Sequence, residues 1–117
     1  CGEDFTIYSG NDDQIVPILS LGGSGVISVL ANVLPKETHD IVEKYLAGDV
    51  VESRKLQLGV NELVSSLFIE VNPIPVKAAM NLMGMEAGEL RLPLTNISEQ
   101  NLEILRNNMM KYGIKVD

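Results

Sequence analysis

The chain has 117 residues, of which 45% are hydrophobic and 21% are charged, a composition typical of one ordinary globular domain. Nine Lys and Arg residues stand against sixteen Asp and Glu residues, and the formal net charge of −7 opposes binding to a phosphate backbone or an anionic membrane surface. Nucleic acid and membranes are therefore not expected partners.

Cysteine usage and charge spacing bear on the compartment. Cys1 is the single cysteine, so no disulfide can form within the chain, which fits a reducing cytoplasm. No basic segment followed by an apolar stretch opens the sequence, so no signal peptide is expected. The run without charges between Asp13 and Lys36 is long enough to span a bilayer, but Pro17 and the glycines of residues 22–25 would break a lipid-exposed helix. The run instead predicts two short buried elements separated by a glycine turn.

The first predicted elements alternate between strand and helix. A β-prone run, Phe5–Ser9, ends at the polar turn of residues 10–13, which also supplies an aspartate N-cap for a helix over Gln14–Leu21. The next run, Gly25–Leu30, is almost wholly apolar, as in parallel strands that are covered on both faces. It predicts a buried strand.

A second helix is predicted to begin near Pro35 and to end at Gly48. The resulting β-α-β-α order implies parallel strands joined by a right-handed crossover, as in barrels and doubly wound sheets. After residue 48 the pattern predicts helices alone, so the expected domains are residues 1–48 and residues 49–117.

The C-terminal part contains three predicted helices and one irregular segment. The first is a long helix that begins at the capping pair Asp49 and Glu52 and ends at about Phe68. The second runs from Pro75 to Gly84 and is followed by an irregular segment over Met85–Thr95. The last begins at its cap Ser98 and ends at Gly113.

Four separated segments resemble successive signatures of the dihydrodipicolinate synthase family, in the family's order. They are Ile-Tyr-Ser-Gly-Asn-Asp-Asp at residues 7–13, Leu-Gly-Gly-Ser-Gly-Val-Ile-Ser-Val-Leu-Ala-Asn-Val at residues 21–33, Asn-Pro-Ile-Pro-Val-Lys at residues 72–77, and Leu-Arg-Leu-Pro-Leu at residues 90–94. A single Gly-Gly-Ser-Gly would be weak, whereas four ordered segments spread over nearly the whole chain are specific.

The resemblance implies an α/β fold class. Residues 5–47 would be the last two strand-helix units of a (β/α)₈ TIM barrel, followed by a mostly helical C-terminal domain, so the chain would be a C-terminal fragment without the first six units. Active sites of such barrels lie at the C-terminal ends of the strands, which here are residues 10–12 and 29–32.

The family's reaction, as the resemblance implies it, uses a lysine near the end of the sixth strand, whose amine forms a Schiff base with pyruvate before the enamine attacks aspartate semialdehyde. That lysine, the proton-relaying tyrosine and the threonines that hold the pyruvate carboxylate all fall outside this chain. The chain has six lysines, all expected on helices or the tail: Lys36, Lys44, Lys55, Lys77, Lys111 and Lys115. The chain by itself is therefore expected to be inactive.

The resemblance also implies a few substrate-binding positions. Ile27 matches the eighth-strand isoleucine whose carbonyl and side chain face the pyruvate imine, although it could be a plain core residue. Gly10 matches a glycine that lets the second substrate approach the backbone, or it is a turn glycine. Asn11 stands where the family often has aspartate, and for Asp12 helix capping is the favoured interpretation. Asn72 lies in the proline elbow that approaches the active site in family members.

The expected partners are pyruvate and aspartate semialdehyde in the complete enzyme, the remaining N-terminal barrel segment, and further copies in a homo-oligomer. No cofactor and no metal are implied. Two alternatives stay open, namely a non-catalytic oligomerisation or regulatory module and a fragment of a related pyruvate aldolase of the N-acetylneuraminate lyase type. Because two parallel strands cannot close a sheet, we expect the isolated chain either to self-associate through them or to leave its N-terminal unit poorly ordered.

Overall fold

The structure, a computed structural model, describes residue 2 and residues 4–117. Any statement about Cys1 therefore lies outside the described residues. The described residues form two compact units, one up to Asn61 and one over Glu62–Asp117, and the division along the sequence falls within one long helix. The sequence placed the boundary at residue 48, and that domain division stays a prediction. The compact units divide later because the first half of the long helix bonds to the first unit through Ser53 and Gln57.

The first unit contains a pair of short parallel strands joined by a helix. Strand β1 is Tyr8–Ser9 and strand β2 is Gly25–Val26, with Tyr8 opposite Gly25 and Ser9 opposite Val26. Between them lie a 3₁₀ turn over Asp12–Gln14 and helix α1 over Ile15–Ser20. The parallel pairing that the sequence predicted is confirmed.

Both strands are shorter than predicted. The run Phe5–Ser9 pairs with β2 only over its last two residues, and Phe5 instead donates its N–H to the carbonyl of Gly2 in a turn. The predicted strand Gly25–Leu30 ends at Val26, and Leu30–Asn32 forms a 3₁₀ turn. The chain leaves the strand direction there because two backbone N–H groups, of Val29 and Leu30, bond to a carboxylate on the preceding loop.

Helix α1 ends at the predicted glycine turn. Gly22 has a φ of +93°, which suits glycine, and the N–H of Gly23 returns to the carbonyl of Ile18 at 2.9 Å. A Cβ on Gly23 would lie only 2.5 Å from Cγ2 of Ile18 and 2.8 Å from its carbonyl oxygen, so this position admits no side chain without a shift. The glycines thus allow a close return of the chain into β2.

Two long helices complete the first unit. Helix α2, Pro35–Leu46, begins at the predicted proline, and Gly48 follows it with a φ of +92°. Helix α3, Val50–Leu67, is capped by the Asp49 carboxylate, which accepts the N–H of Glu52 at 3.2 Å. Helix α1 packs against α2 and β2, and the buried core of this unit consists of Ile15, Leu19, Leu30, Val33, Leu34, Ile41 and Val60.

The second unit consists of the end of α3 with helix α4, Ile74–Leu82, and helix α5, Glu99–Tyr112. Helix α5 has the predicted caps, with the Ser98 hydroxyl accepting the N–H of Asn101 and Gly113 at a φ of +100°. The segment 85–97 is irregular, as predicted. Helices α4 and α5 pack against each other, and the buried apolar side chains of the unit are those of Leu63, Val64, Leu67, Ile74, Val76, Ala79, Leu105 and Met109.

Candidate functional site

Three of the predicted site residues meet where the two strands end. Gly10 and Asn11 follow β1 directly, and Ile27 follows β2 directly. The N–H of Ile27 donates to the carbonyl of Ser9 at 2.8 Å, so the parallel pairing extends one step beyond β2. Because parallel strands end at the same edge of a sheet, Gly10, Asn11 and Ile27 occupy one edge. The sequence placed the end of the second strand later, at residues 29–32, with Ile27 inside the strand.

The turn after β1 is fixed by a buried hydroxyl. Ser9 is 3% exposed, and its Oγ donates to the carbonyl of Asn11 at 2.7 Å while accepting the N–H of Asn11 at 3.2 Å. The Asn11 carbonyl also accepts the N–H of Gln14 at 3.2 Å. One serine therefore sets the conformation of Gly10 and Asn11, while both of these residues remain exposed.

Gly10 has open space on the side where a side chain would stand. No heavy atom lies within 4 Å of a Cβ built on it, and its φ lies outside the range that favours glycine. The turn conformation therefore does not require glycine at this position.

Ile27 combines a fixed backbone with an exposed side chain. Its side chain is exposed, with 72% relative accessibility, although its amide is held by Ser9. Leu30, three residues on, is fully buried. The role of Ile27 therefore stays a prediction.

Asp12 does not cap the helix that follows it, so the capping interpretation is wrong. The residues at the N-terminal caps of the 3₁₀ turn and of α1 make no side-chain cap hydrogen bond. The Asp12 carboxylate instead accepts the N–H groups of Val29 and Leu30, each at 3.0 Å, and the hydroxyl of Ser28. Asp12 is 1% exposed, and it ties the loop after β1 to the loop after β2.

Sequence reasoning also missed Gln57. This amide on α3 is 4% exposed; its Nε2 donates to the carbonyl of Asp12 at 2.8 Å, and its Oε1 accepts the N–H of Val16 at 3.1 Å. A polar residue at Gln57 beside the apolar positions Leu56 and Val60 was the available signal, but its partners lie more than forty residues away and have no local signature.

Asn72, the fourth predicted substrate-binding residue, belongs to the second unit. It is exposed and is joined to Pro73 by a cis peptide bond. Two residues before it, one oxygen of the Glu70 carboxylate accepts hydrogen bonds from the Asn101 side chain at 2.8 Å and from the N–H and hydroxyl of Ser98 at 3.0 and 2.8 Å. These bonds, above all that from Asn101, lower the pKa of Glu70 below its ordinary value of 4.5. Glu70 thereby ties the elbow to the start of α5.

The lysines lie away from the strand ends. Lys36 and Lys44 are on α2, Lys55 is on α3, and Lys77 and Lys111 are on α4 and α5, whereas Lys115 follows the last helix. No lysine of the chain stands on β1 or β2 or in the turns directly after them. None of the helices among the described residues has the length and apolar character needed to cross a bilayer.

A parallel β-α-β unit with polar turns collected at the strand ends is a building block of (β/α)₈ barrels. The sequence profile of the Dihydrodipicolinate synthetase family matches residues 1–111. The chain belongs to this family, and its fold class is that of a C-terminal portion of a (β/α)₈ barrel protein with following helices.

Individual relatives agree with this assignment. The 4-hydroxy-tetrahydrodipicolinate synthase of Acetivibrio thermocellus is 61% identical over 114 residues, which are 97% of this chain and 39% of that protein. The crystal structure of dihydrodipicolinate synthase from Aquifex aeolicus superposes with a TM-score of 0.93 at 41% identity, over 99% of this chain and 40% of that one.

A further similar structure is described as the chloride inhibited synthase from Acinetobacter baumannii complexed with pyruvate. It has a TM-score of 0.88 at 40% identity and covers 94% of this chain and 38% of that one. The chain thus spans about 39% of the length of the curated relatives that it matches.

Proposed function

We propose that this chain forms part of a dihydrodipicolinate synthase, in which pyruvate condenses with aspartate semialdehyde through a lysine Schiff base, and that the chain contributes the edge of the substrate site. The observation that carries the proposal is the meeting of Gly10, Asn11 and Ile27 at the ends of two parallel strands, in a chain whose family profile match covers residues 1–111. The protein would act in the cytoplasm, within a homo-oligomer, and would need no cofactor.

The division of labour follows from where the ionisable groups lie. A Schiff base requires an amine beside the bound ketone, and none of the lysines lies at the strand ends. The chain by itself is therefore inactive. The catalytic lysine would come from the rest of the barrel, supplied on the same polypeptide or as a separate one.

Within the site, Ile27 would line the pyruvate pocket. Its held amide supports this role, because a residue that contacts a ligand should be fixed in place. Gly10 would leave room for the second substrate, which the open space around it supports. Asn11 would lie at the mouth of the site, and for Asn72 a substrate-binding role is supported by the resemblance alone.

Two other functions are less well supported. A fragment of an N-acetylneuraminate lyase type aldolase is less well supported, because the similar proteins reported above are all synthases and reach 61% identity. A non-catalytic oligomerisation or regulatory module would keep the helices without needing substrate-binding residues at the strand ends.

Complementation tests the proposal. The chain would be co-expressed with the part of the Acetivibrio thermocellus relative that it does not cover, and condensation of pyruvate with aspartate semialdehyde would be measured. We expect no activity from either part alone and activity from the assembly. A binding-competent assembly that condenses pyruvate with a sugar in place of aspartate semialdehyde would point to the aldolase class, and an assembly without any activity would favour the non-catalytic module.

A further inference from the structure

Asp12 is the one strongly buried carboxylate at the strand ends, and the proposed reaction assigns it no chemical step. A buried charge is costly unless it is fully hydrogen bonded, and Asp12 meets this condition with the hydroxyl of Ser28 and the N–H groups of Val29 and Leu30. All three donors come from the loop that follows Ile27. The arrangement therefore orders that loop and does not serve the helix after Asp12.

The bonds around Ile27 act on both sides of it. On its N-terminal side, its own N–H is held by the carbonyl of Ser9 at 2.8 Å. On its C-terminal side, the next three residues are bound to Asp12, and the Ser28 hydroxyl additionally accepts the N–H of Ala31 at 2.9 Å. The backbone at Ile27 is thus fixed at both ends while its side chain stays exposed.

Asp12 is itself held in place. Its carbonyl accepts Nε2 of Gln57 at 2.8 Å, so the residue that orders the second loop is anchored to helix α3. A hydrogen bond from a buried amide to this carbonyl resists movement of the whole turn over Asn11 and Asp12. The second loop is therefore positioned against the helical frame of the unit and not only against its neighbouring turn.

We infer that Asp12 is a positioning residue, which fixes the peptide of Ile27 at the edge of the pyruvate pocket by binding the loop after β2. This inference rests on the function proposed above, because it takes Ile27 as the residue that faces pyruvate. Asp12 itself would not touch substrate. Replacing Asp12 should therefore weaken the binding of pyruvate and leave the binding of the second substrate nearly unchanged.

Three variants separate the contributions. Asp12→Asn keeps the shape of the side chain but replaces charge-assisted bonds, which are about twice as strong as neutral ones. Asp12→Ala removes every acceptor, and Ser28→Ala removes one donor while leaving the bonds to Val29 and Leu30. Asp13→Asn is the matched control, since Asp13 is the adjacent aspartate and is exposed.

The first measurement is amide hydrogen exchange in this chain assembled with the complementary barrel part. Asp12→Ala should accelerate exchange at Val29 and Leu30 by on the order of 10- to 100-fold, because bonds to a charged group contribute about 1.5–3 kcal/mol and each 1.4 kcal/mol is a factor of ten. Asp12→Asn should give a smaller increase, and the control should give none. If Asp12→Ala does not fold, Asp12→Asn carries this measurement; unchanged exchange at both amides would overturn the inference.

The second measurement uses the assembly with the complementary barrel part. Asp12→Asn should raise the KM for pyruvate by about tenfold, as expected from a small misplacement in a binding site, and should change the KM for aspartate semialdehyde less than about twofold. Equal losses for both substrates, or a faster exchange at Val29 without any change in the KM for pyruvate, would show a merely structural role and overturn the inference. An unmodified assembly that is inactive would instead count against the proposed function, and the exchange data would still decide whether Asp12 orders the loop.

Discussion

Replacing Gln57 by leucine removes the side chain that joins helix α3 to the loop after β1. Leucine has a similar size, so the change tests hydrogen bonding more than packing. In the native chain the amide satisfies the N–H of Val16 at 3.1 Å and the carbonyl of Asp12 at 2.8 Å. Both backbone groups lose this partner in Gln57→Leu, and at 4% exposure water has little access to replace it.

The expected loss follows from these two groups. A buried polar group left without a partner costs about 1–3 kcal/mol, and two such groups together cost about 2–6 kcal/mol. The added apolar surface of leucine returns about 1–2 kcal/mol. The difference is about 0–5 kcal/mol, and the net destabilisation should lie in its lower half, at about 1–2 kcal/mol, because Val16 is only partly buried.

Urea unfolding followed by circular dichroism measures this loss. With an m-value of about 1–2 kcal/mol/M, the unfolding midpoint should fall by about 0.5–2 M. Gln100→Leu on α5 is the matched control, because Gln100 is exposed and its replacement should change stability by less than about 0.5 kcal/mol. A Gln57→Leu protein that unfolds at the same urea concentration as this control would refute the reasoning.

Three further predictions concern single positions. Gly23→Ala should destabilise the chain by about 1–3 kcal/mol in thermal unfolding, since its Cβ would lie 2.5 Å from Ile18 Cγ2, whereas Gly59→Ala on α3, with no atom within 4 Å, should stabilise it by up to about 1 kcal/mol. The stabilisation of the folded state by the hydrogen-bonded Glu70 carboxylate should be fully present above pH 4.5 and lost as the pH falls through the lowered pKa of Glu70. An NMR titration of its carboxyl carbon with a midpoint at or above 4.5 would contradict this. Gly10→Ala should change the free energy of unfolding by less than about 0.5 kcal/mol, because the space around Gly10 is open. It should nevertheless weaken the binding of aspartate semialdehyde in the complemented assembly. Unchanged kinetics would show that Gly10 is an ordinary turn residue.

Local signals in the sequence were sufficient for most of the fold. Pro35, Ser98, Gly48 and Gly113 mark helix ends because caps and left-handed glycines act within one turn of the chain. The apolar run from Gly25 identified the second strand, and the parallel pairing followed from the helix between the strands.

The residues at which the two strands end could not be predicted from local signals in the sequence. Nothing in the run Gly25–Leu30 indicates that strand pairing should end after Ile27, since every residue in it tolerates a strand. The turn depends on Asp12, which is sixteen residues before Ser28. An aspartate after Gly-Asn has a local explanation as a helix cap, and only the three-dimensional contacts distinguish that role from the observed one.

In the candidate site, too, some residues were identified from the sequence and others were not. The resemblance named Gly10, Asn11 and Ile27 as site residues, and strand polarity brings them to one edge. Ile27 was expected inside a strand ending at residues 29–32, and the role of all three stays a prediction. The supporting residues Ser9, Gln57 and Glu70 were missed, since their partners are set by packing and no spacing rule connects them.

The most direct test of the central claim is mass spectrometry after borohydride reduction with pyruvate. When this chain is mixed with the complementary barrel part, the mass of a reduced pyruvyl group should be found on a lysine of that part and on none of the lysines of this chain. A reduced adduct on any lysine here, formed at the rate of turnover, would contradict the claim that the reactive amine lies elsewhere in the barrel.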